Sequence, residues 1–373
     1  MSRRRLPISS VLPVLASLLV AMSAFESSAA AVAERLVHRR GGLGSFPIER
    51  AAATRDGLRV VRTDRGLDRE ELVPWDRLAA VDPRPSDGSL EVGVESGLAF
   101  GDRLWRGRIR LRRGDARLAR EAFLEAMAMS SDRVGSMFAL ALEGLVSSAI
   151  LEGRIQDVQA QAMVLGELGL AGARTDRFLG AAYSGDVVDA RTNLVPMVPP
   201  VSAGTAGLDI REYLRNQPEI HESSRLRRDL WIKLLDGSGP PEVSSKGLDP
   251  GTSYLLELAS ADSEDQRTRE QARRRLLERL LKDAPNWEIA WTRHRIGRAS
   301  LRHAQNDEER LRGVLDLIQV MALEDAAPPA LRLDAGRHLI DGLRAIGRDE
   351  EARTIQTMLL IEFPDQQPME NTP

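Results

Sequence analysis

From Phe100 onward, apolar residues recur every three or four positions in paired segments, and several of the pairs are joined by a short turn carrying a glycine. Phe100, Leu104, Gly107 and Leu111 fall on one helical face. Beyond Gly114-Asp115 a second face carries Ala119, Ala122, Phe123, Ala126 and Met127. Segments 136–151 and 155–168 repeat the arrangement around Glu152-Gly153-Arg154. The period returns with Ala272, Leu276, Leu277, Leu280, Leu281 and Ala284, a stripe stopped by Pro285, and continues through 287–302 with 311–323 and 331–346 with 350–363. None of these helices buries its stripe alone, so consecutive pairs must stack on a shared core. The pattern predicts a mainly α chain of antiparallel hairpins stacked as a solenoid, over 99–193 and again over 251–364.

Residues 34–82 read differently. Runs at 48–54, 58–63 and 71–75 alternate with Arg55-Asp56-Gly57 and Asp64-Arg65-Gly66, which supply turns with glycine where positive φ is wanted. This predicts a small β-meander, closed by a short turn that Asp76 caps and that carries Leu78 and Val81 onto the same apolar surface as Trp75. Residues 83–98 read as a linker, opening on Pro83-Arg84-Pro85. Between the helical blocks, 194–250 holds Pro196, Pro199 and Pro200 and the run Gly237-Ser238-Gly239-Pro240-Pro241. No continuous helix survives that many prolines. Loops are expected there, with short helices at 209–215 and 223–235, and a disordered tail at 365–373.

The N-terminus has the order of an export signal: Arg3-Arg4-Arg5, an apolar stretch from Val11 to Phe25, and an alanine-rich zone in which Ala29 and Ala31 set cleavage after Ala31. Residues 1–31 are expected to leave, giving a periplasmic or secreted protein. The alternative is an uncleaved segment that anchors the chain to the membrane. Loss of Arg3, Arg4, Arg5 and Glu26, a net +2, would take the formal charge from −3 to −5. Such a surface does not attract phosphate backbones as a whole, and no nucleic-acid partner is expected. With 42% hydrophobic and 29% charged residues the chain has the composition of a folded domain, and with no cysteine it is held by packing alone.

In detail, the hairpin at 99–131 resembles a tetratricopeptide repeat: Gly107, Gly114, Ala119, Phe123 and Ala126 stand at that family's spacings, small residues where helices touch and an aromatic filling the gap. The last hairpin keeps Gly347, Ala352 and Pro364, and an earlier second helix keeps Ala272 and Pro285. Ser131 replaces the first repeat's proline and Gln356 the last repeat's aromatic. The resemblance implies a scaffold whose first helices line a concave face for a protein or peptide, with no catalytic residue and no cofactor.

No motif supplies chemistry of its own. His221-Glu222-Ser223-Ser224-Arg225 has arginine where a zinc peptidase needs its second histidine, and His294 and His303 stand half a turn out of phase. Gly93-Val94-Glu95-Ser96-Gly97 places its serine one position late for a nucleophile elbow. The arginine runs 225–228 and 273–275 read as exposed faces, with contact to an anionic polymer or lipid headgroups as the competing reading. Trp287, Trp291, His294 and Arg298 share one face of a first helix at i, i+4, i+7 and i+11, and form the expected partner-binding groove; the same aromatics packed between hairpins are the competing reading. The function expected is thus a non-enzymatic scaffold for protein–protein interaction in a bacterial envelope or periplasm, against an anchored complex subunit or an enzyme acting on envelope polysaccharide.

Overall fold

A computed structural model describes residues 35–64, 67–82, 88–130, 133–173, 187–201, 207–240, 243–282, 284–323 and 327–364. The expected export segment and the tail at 365–373 lie outside them. The chain divides into two compact units at Leu98.

The first unit holds two three-stranded antiparallel sheets. Strands β1 (Arg35–Arg39), β2 (Ser45–Ile48) and β6 (Leu78–Asp82) pair in the order β2-β1-β6, while β3 (Arg50–Thr54), β4 (Gly57–Asp64) and β5 (Leu67–Pro74) form a meander. The meander matches the expectation, but β1 and β2 were not foreseen. A short 3-10 turn does follow the meander at Trp75–Arg77, but Leu78 and Val81 lie beyond it in a strand: Val81 pairs with Val37, and this cross-strand partner outweighs local preference. Val37, Ile48, Leu58, Val60, Val73, Trp75, Leu78 and Val81 are buried. Trp75 donates its indole N–H to the Thr54 carbonyl at 2.9 Å.

Helix α1 (Gly88–Arg112) begins well before Phe100, so the expected linker at 83–98 is helical from Gly88 onward. Glycine and serine at 88, 89, 93, 96 and 97 weaken its helical signal. Packing decides otherwise: Val94 is buried, and Gly97 leaves room for the Trp75 ring, which a Cβ there would overlap.

In the second unit, α2 (Ala116–Met129), α3 (Ser136–Leu151) and α4 (Gln159–Leu170) follow α1. Gly114 at φ 85° makes the α1–α2 turn. Phe123 is fully buried between Gly107 of α1 and Gly144 of α3; a Cβ on Gly107 would lie 2.7 Å from its ring. Ala119 and Ala126 flank it with no exposed surface. Ala119→Leu is therefore expected to cost about 1–3 kcal/mol by overpacking, whereas Arg117→Ala, on the exposed face, should change the denaturation midpoint little. Equal midpoints for wild type and Ala119→Leu would contradict this packing.

Helices α5 (Gly207–Arg215), α6 (Ser224–Asp236), α7 (Pro250–Ser260), α8 (Gln266–Leu280), α9 (Asn286–His303), α10 (Asp307–Ala322), α11 (Pro329–Ala345) and α12 (Asp349–Glu362) complete the unit. Three of their starts carry side-chain caps: Asp249 accepts from Gly251 N and Thr252 N, Asp265 from Thr268 N, and Asn306 from Glu309 N. Helix α9 packs on both α10 and α11, α10 on α11, and α11 on α12. Small residues permit the approach: a Cβ on Gly297 would stand 2.8 Å from Leu317, and one on Gly336 2.7 Å from Leu359. Among the described residues no helix is long and apolar enough to cross a membrane.

Segment 187–201 has no regular structure, as its prolines require, yet it is no boundary loop. Thr192, Leu194, Val195, Val198 and Val201 are buried. The segment runs through the core as a strap, and glycines let helices close on it: a Cβ on Gly166 would overlap the Asn193 carbonyl, and one on Gly251 the Thr192 carbonyl.

Candidate functional site

Helix α9 is the centre of this unit. Trp287, Trp291 and His294 do share one face, but that face is interior: Trp291 and His294 are 2% and 3% exposed and Trp287 is 9% exposed. The expected open groove is thereby corrected. Trp287 meets Trp291 edge to face at 5.2 Å, Tyr254 lies 5.9 Å from Trp287 and stacks on Trp291 at 6.4 Å, and Trp231 closes the cluster 6.2 Å from Trp291. The Tyr254 hydroxyl, 3.1 Å from the Glu288 carbonyl and 3.0 Å from the Thr292 hydroxyl, ties α7 to α9, and burial raises its pKa well above the usual phenol value.

What covers the tryptophan face is the strap itself. Trp291 donates its indole N–H to the Pro196 carbonyl at 3.1 Å, and Gln159 of α4 donates to the Val201 carbonyl at 2.8 Å. Pro199, Pro200 and Val201 line the same narrow gap as Trp291 and His294. The groove expected for a partner is filled by the chain's own residues.

Three buried arginines hold strap and helices together. Arg227 donates to the Asn193 carbonyl at 2.7 Å and the Thr192 carbonyl at 3.2 Å, with Asp249 at 3.4 Å. Burial lowers its pKa against the opposing pull of Asp249 and Glu167. Arg228 forks onto Glu167 at 2.8 and 2.5 Å and reaches the Gln217 and Pro218 carbonyls, both at 2.8 Å, just beyond the end of α5. Arg295 pairs with the fully buried Asp262 at 2.7 Å and donates to the Leu258 carbonyl of α7 at 3.1 Å and the Leu234 carbonyl of α6 at 3.3 Å. Burial takes its pKa down to about 10.

These contacts correct the reading of 225–228 as an exposed face, since only Arg225 is exposed there. A signal was present: Arg227 and Arg228 occupy the apolar stripe of α6 with Trp231, Leu234 and Leu235 at helical spacing, as Arg295 does on α9 four residues after Trp291. A charge on a buried stripe requires a partner.

His294 and His303 do not converge. His294 instead donates from Nε2 to Asp334 of α11 at 2.8 Å, and His338 lies 3.5 Å from the same oxygen. No group of three or more potential ligands able to hold a metal exists among the described residues. Burial lowers the His294 pKa and outweighs the hydrogen bond to Asp334. Burial alone would raise the Asp334 pKa, but its bonds to the two histidines outweigh this and hold it well below the carboxylate range. Both groups resist protonation in the folded chain more than in the unfolded one, so both contribute stability that is lost on acidification. Stability should fall as pH is lowered from 7.5 through the unfolded histidine value near ~6.5, by at most about 1.4 kcal/mol per pH unit for one proton. Denaturation midpoints measured across that range should fall less steeply for His294→Gln; identical slopes would refute the assignment.

Two of the clefts along α9 lie towards its opposite ends. The first, of about 450 Å³, is lined by Arg191, Glu257, Glu278, Arg279 and Glu288. Arg279 lies between two of these carboxylates, 2.5 Å from Glu257 and 3.5 Å from Glu288, and Arg191 also pairs with Glu288. The second, of about 470 Å³, is lined by Arg298, Arg302, Arg310, His338 and Asp341. Arg298 alone of the expected groove residues faces an open cleft. No family model matches this chain, and neither a curated protein nor a solved structure is detectably similar to it.

Proposed function

We propose that this chain is an exported helical-repeat scaffold that binds a protein partner in a bacterial envelope or periplasm and carries no catalysis of its own. The observation that supports it best is the packing of α9 through α12: each helix rests on the next, and α9 also touches α11, the adjacency of first helices that a tetratricopeptide-like solenoid requires. The Phe123 socket between Gly107 and Gly144 supports the same reading at the other end of the unit. A polysaccharide-cleaving enzyme would need a carboxyl pair free to exchange protons. In the first cleft, arginines engage Glu257 and Glu288, an arrangement suited to holding α7, α8 and α9 together.

The test is affinity capture from envelope extracts with the chain beginning at Val32 as bait, followed by binding of the captured protein in purified form. A saturable one-to-one complex is expected; capture of nothing above a control bait would remove the scaffold reading. N-terminal sequencing of the exported protein should begin near Val32, and an intact Met1 or Ser2 would favour the anchored form.

A further inference from the structure

We propose that the cleft between α9 and α11 binds a phosphoryl oxyanion carrying two or more negative charges. The proposal is independent of the scaffold reading. Helix α9 places Arg295, Arg298 and Arg302 at i, i+3 and i+7, so three like charges share a side of one helix. Arg310 from α10 and His338 from α11 join Arg298 and Arg302 around the opening, and Asp341 is the one carboxylate lining it.

Three of these arginines are matched: Arg295 with Asp262 at 2.7 Å, Arg302 with Glu264 at 3.0 Å, and Arg310 with Asp307 at 2.7 Å. Arg298 is not, for among the described residues no carboxylate stands within 4.0 Å of it, although it is half-buried. Its guanidinium occupies the space that a Cβ on Gly237 would take, at the carbonyl end of α6, where Arg302 also donates to the Gly237 carbonyl. The helix end favours a cation and so helps to order the Arg298 side chain, which also lines the cleft. Burial is the main cause that lowers the Arg295 and His294 pKa values, and the like charges of Arg298 and Arg302 on Arg295, and of Arg298 on His294, act in the same direction. In a chain of formal charge −3, one arginine at this opening is thus left without a carboxylate partner, and a bound anion would supply one. Guanidinium groups arriving from two helices suit a tetrahedral dianion, which accepts on several oxygens at once, better than a single carboxylate, which one guanidinium fork satisfies.

Isothermal titration of the full mature chain with sodium pyrophosphate tests this, with malonate as the carboxylate comparison and chloride at matched ionic strength as the control. Saturable one-to-one binding of pyrophosphate is expected, weakened about tenfold or more by Arg298→Gln and tightened several-fold by Asp341→Asn. If Arg298→Gln fails to fold by circular dichroism, Arg310→Gln is read in its place, and a weakening of several-fold is expected. Absence of saturation, equal heats from chloride, malonate binding as tightly as pyrophosphate, or wild-type affinity in the arginine variant would each overturn the proposal.

Discussion

Replacing Trp291 by alanine is expected to destabilise the helical unit by about 3–5 kcal/mol, seen as a large fall in melting temperature by circular dichroism. The indole is 2% exposed, packs against Trp231, Tyr254 and Trp287, and supplies a donor to the Pro196 carbonyl. Its removal would leave a cavity and an unpaired carbonyl in the strap, two costs that add. Trp291→Phe keeps most of the volume and loses the donor, so it should recover much of the loss. A Trp291→Ala variant that melts with the wild type would mean that the face is open after all.

Arg228→Ala should be comparably damaging, at about 3–5 kcal/mol, because it strands Glu167 as an uncompensated buried charge and leaves the Gln217 and Pro218 carbonyls without a donor. The pair has an informative double variant. Arg228→Met with Glu167→Leu removes both charges and is expected to be markedly more stable than either single change, since desolvation offsets much of the attraction in a buried ion pair. Additive losses in urea denaturation would show that the two side chains act separately.

The distinction between these residues and their neighbours was only partly legible in the sequence. Helix α6 was expected within a residue or so of where it lies, and its stripe of Trp231, Leu234 and Leu235 is what one apolar face predicts. That Arg227 and Arg228 sit on the same stripe was equally visible, but the residues that accept from them were not: Asn193 lies 34 positions from Arg227, and Glu167 lies 61 from Arg228. Trp287 and Trp291 were seen to share a face. Whether it was wet or dry depended on Pro196, 95 positions from Trp291.

The sequence by itself determined most of the helices beyond Phe100 and several of their turns, because apolar period, caps and left-handed glycines act within a few residues of one another; the first turns of α1 were not among them. It also determined the pairing of Gly107 with Phe123, a small-to-large complementarity written into one hairpin. Only the tertiary structure decided that 187–201 is core rather than loop, that β1, β2 and β6 form a second sheet, and that three arginines are buried. Each of those outcomes turns on satisfying a buried carbonyl, amide or charge with a partner distant in the chain, and such partners carry no local period.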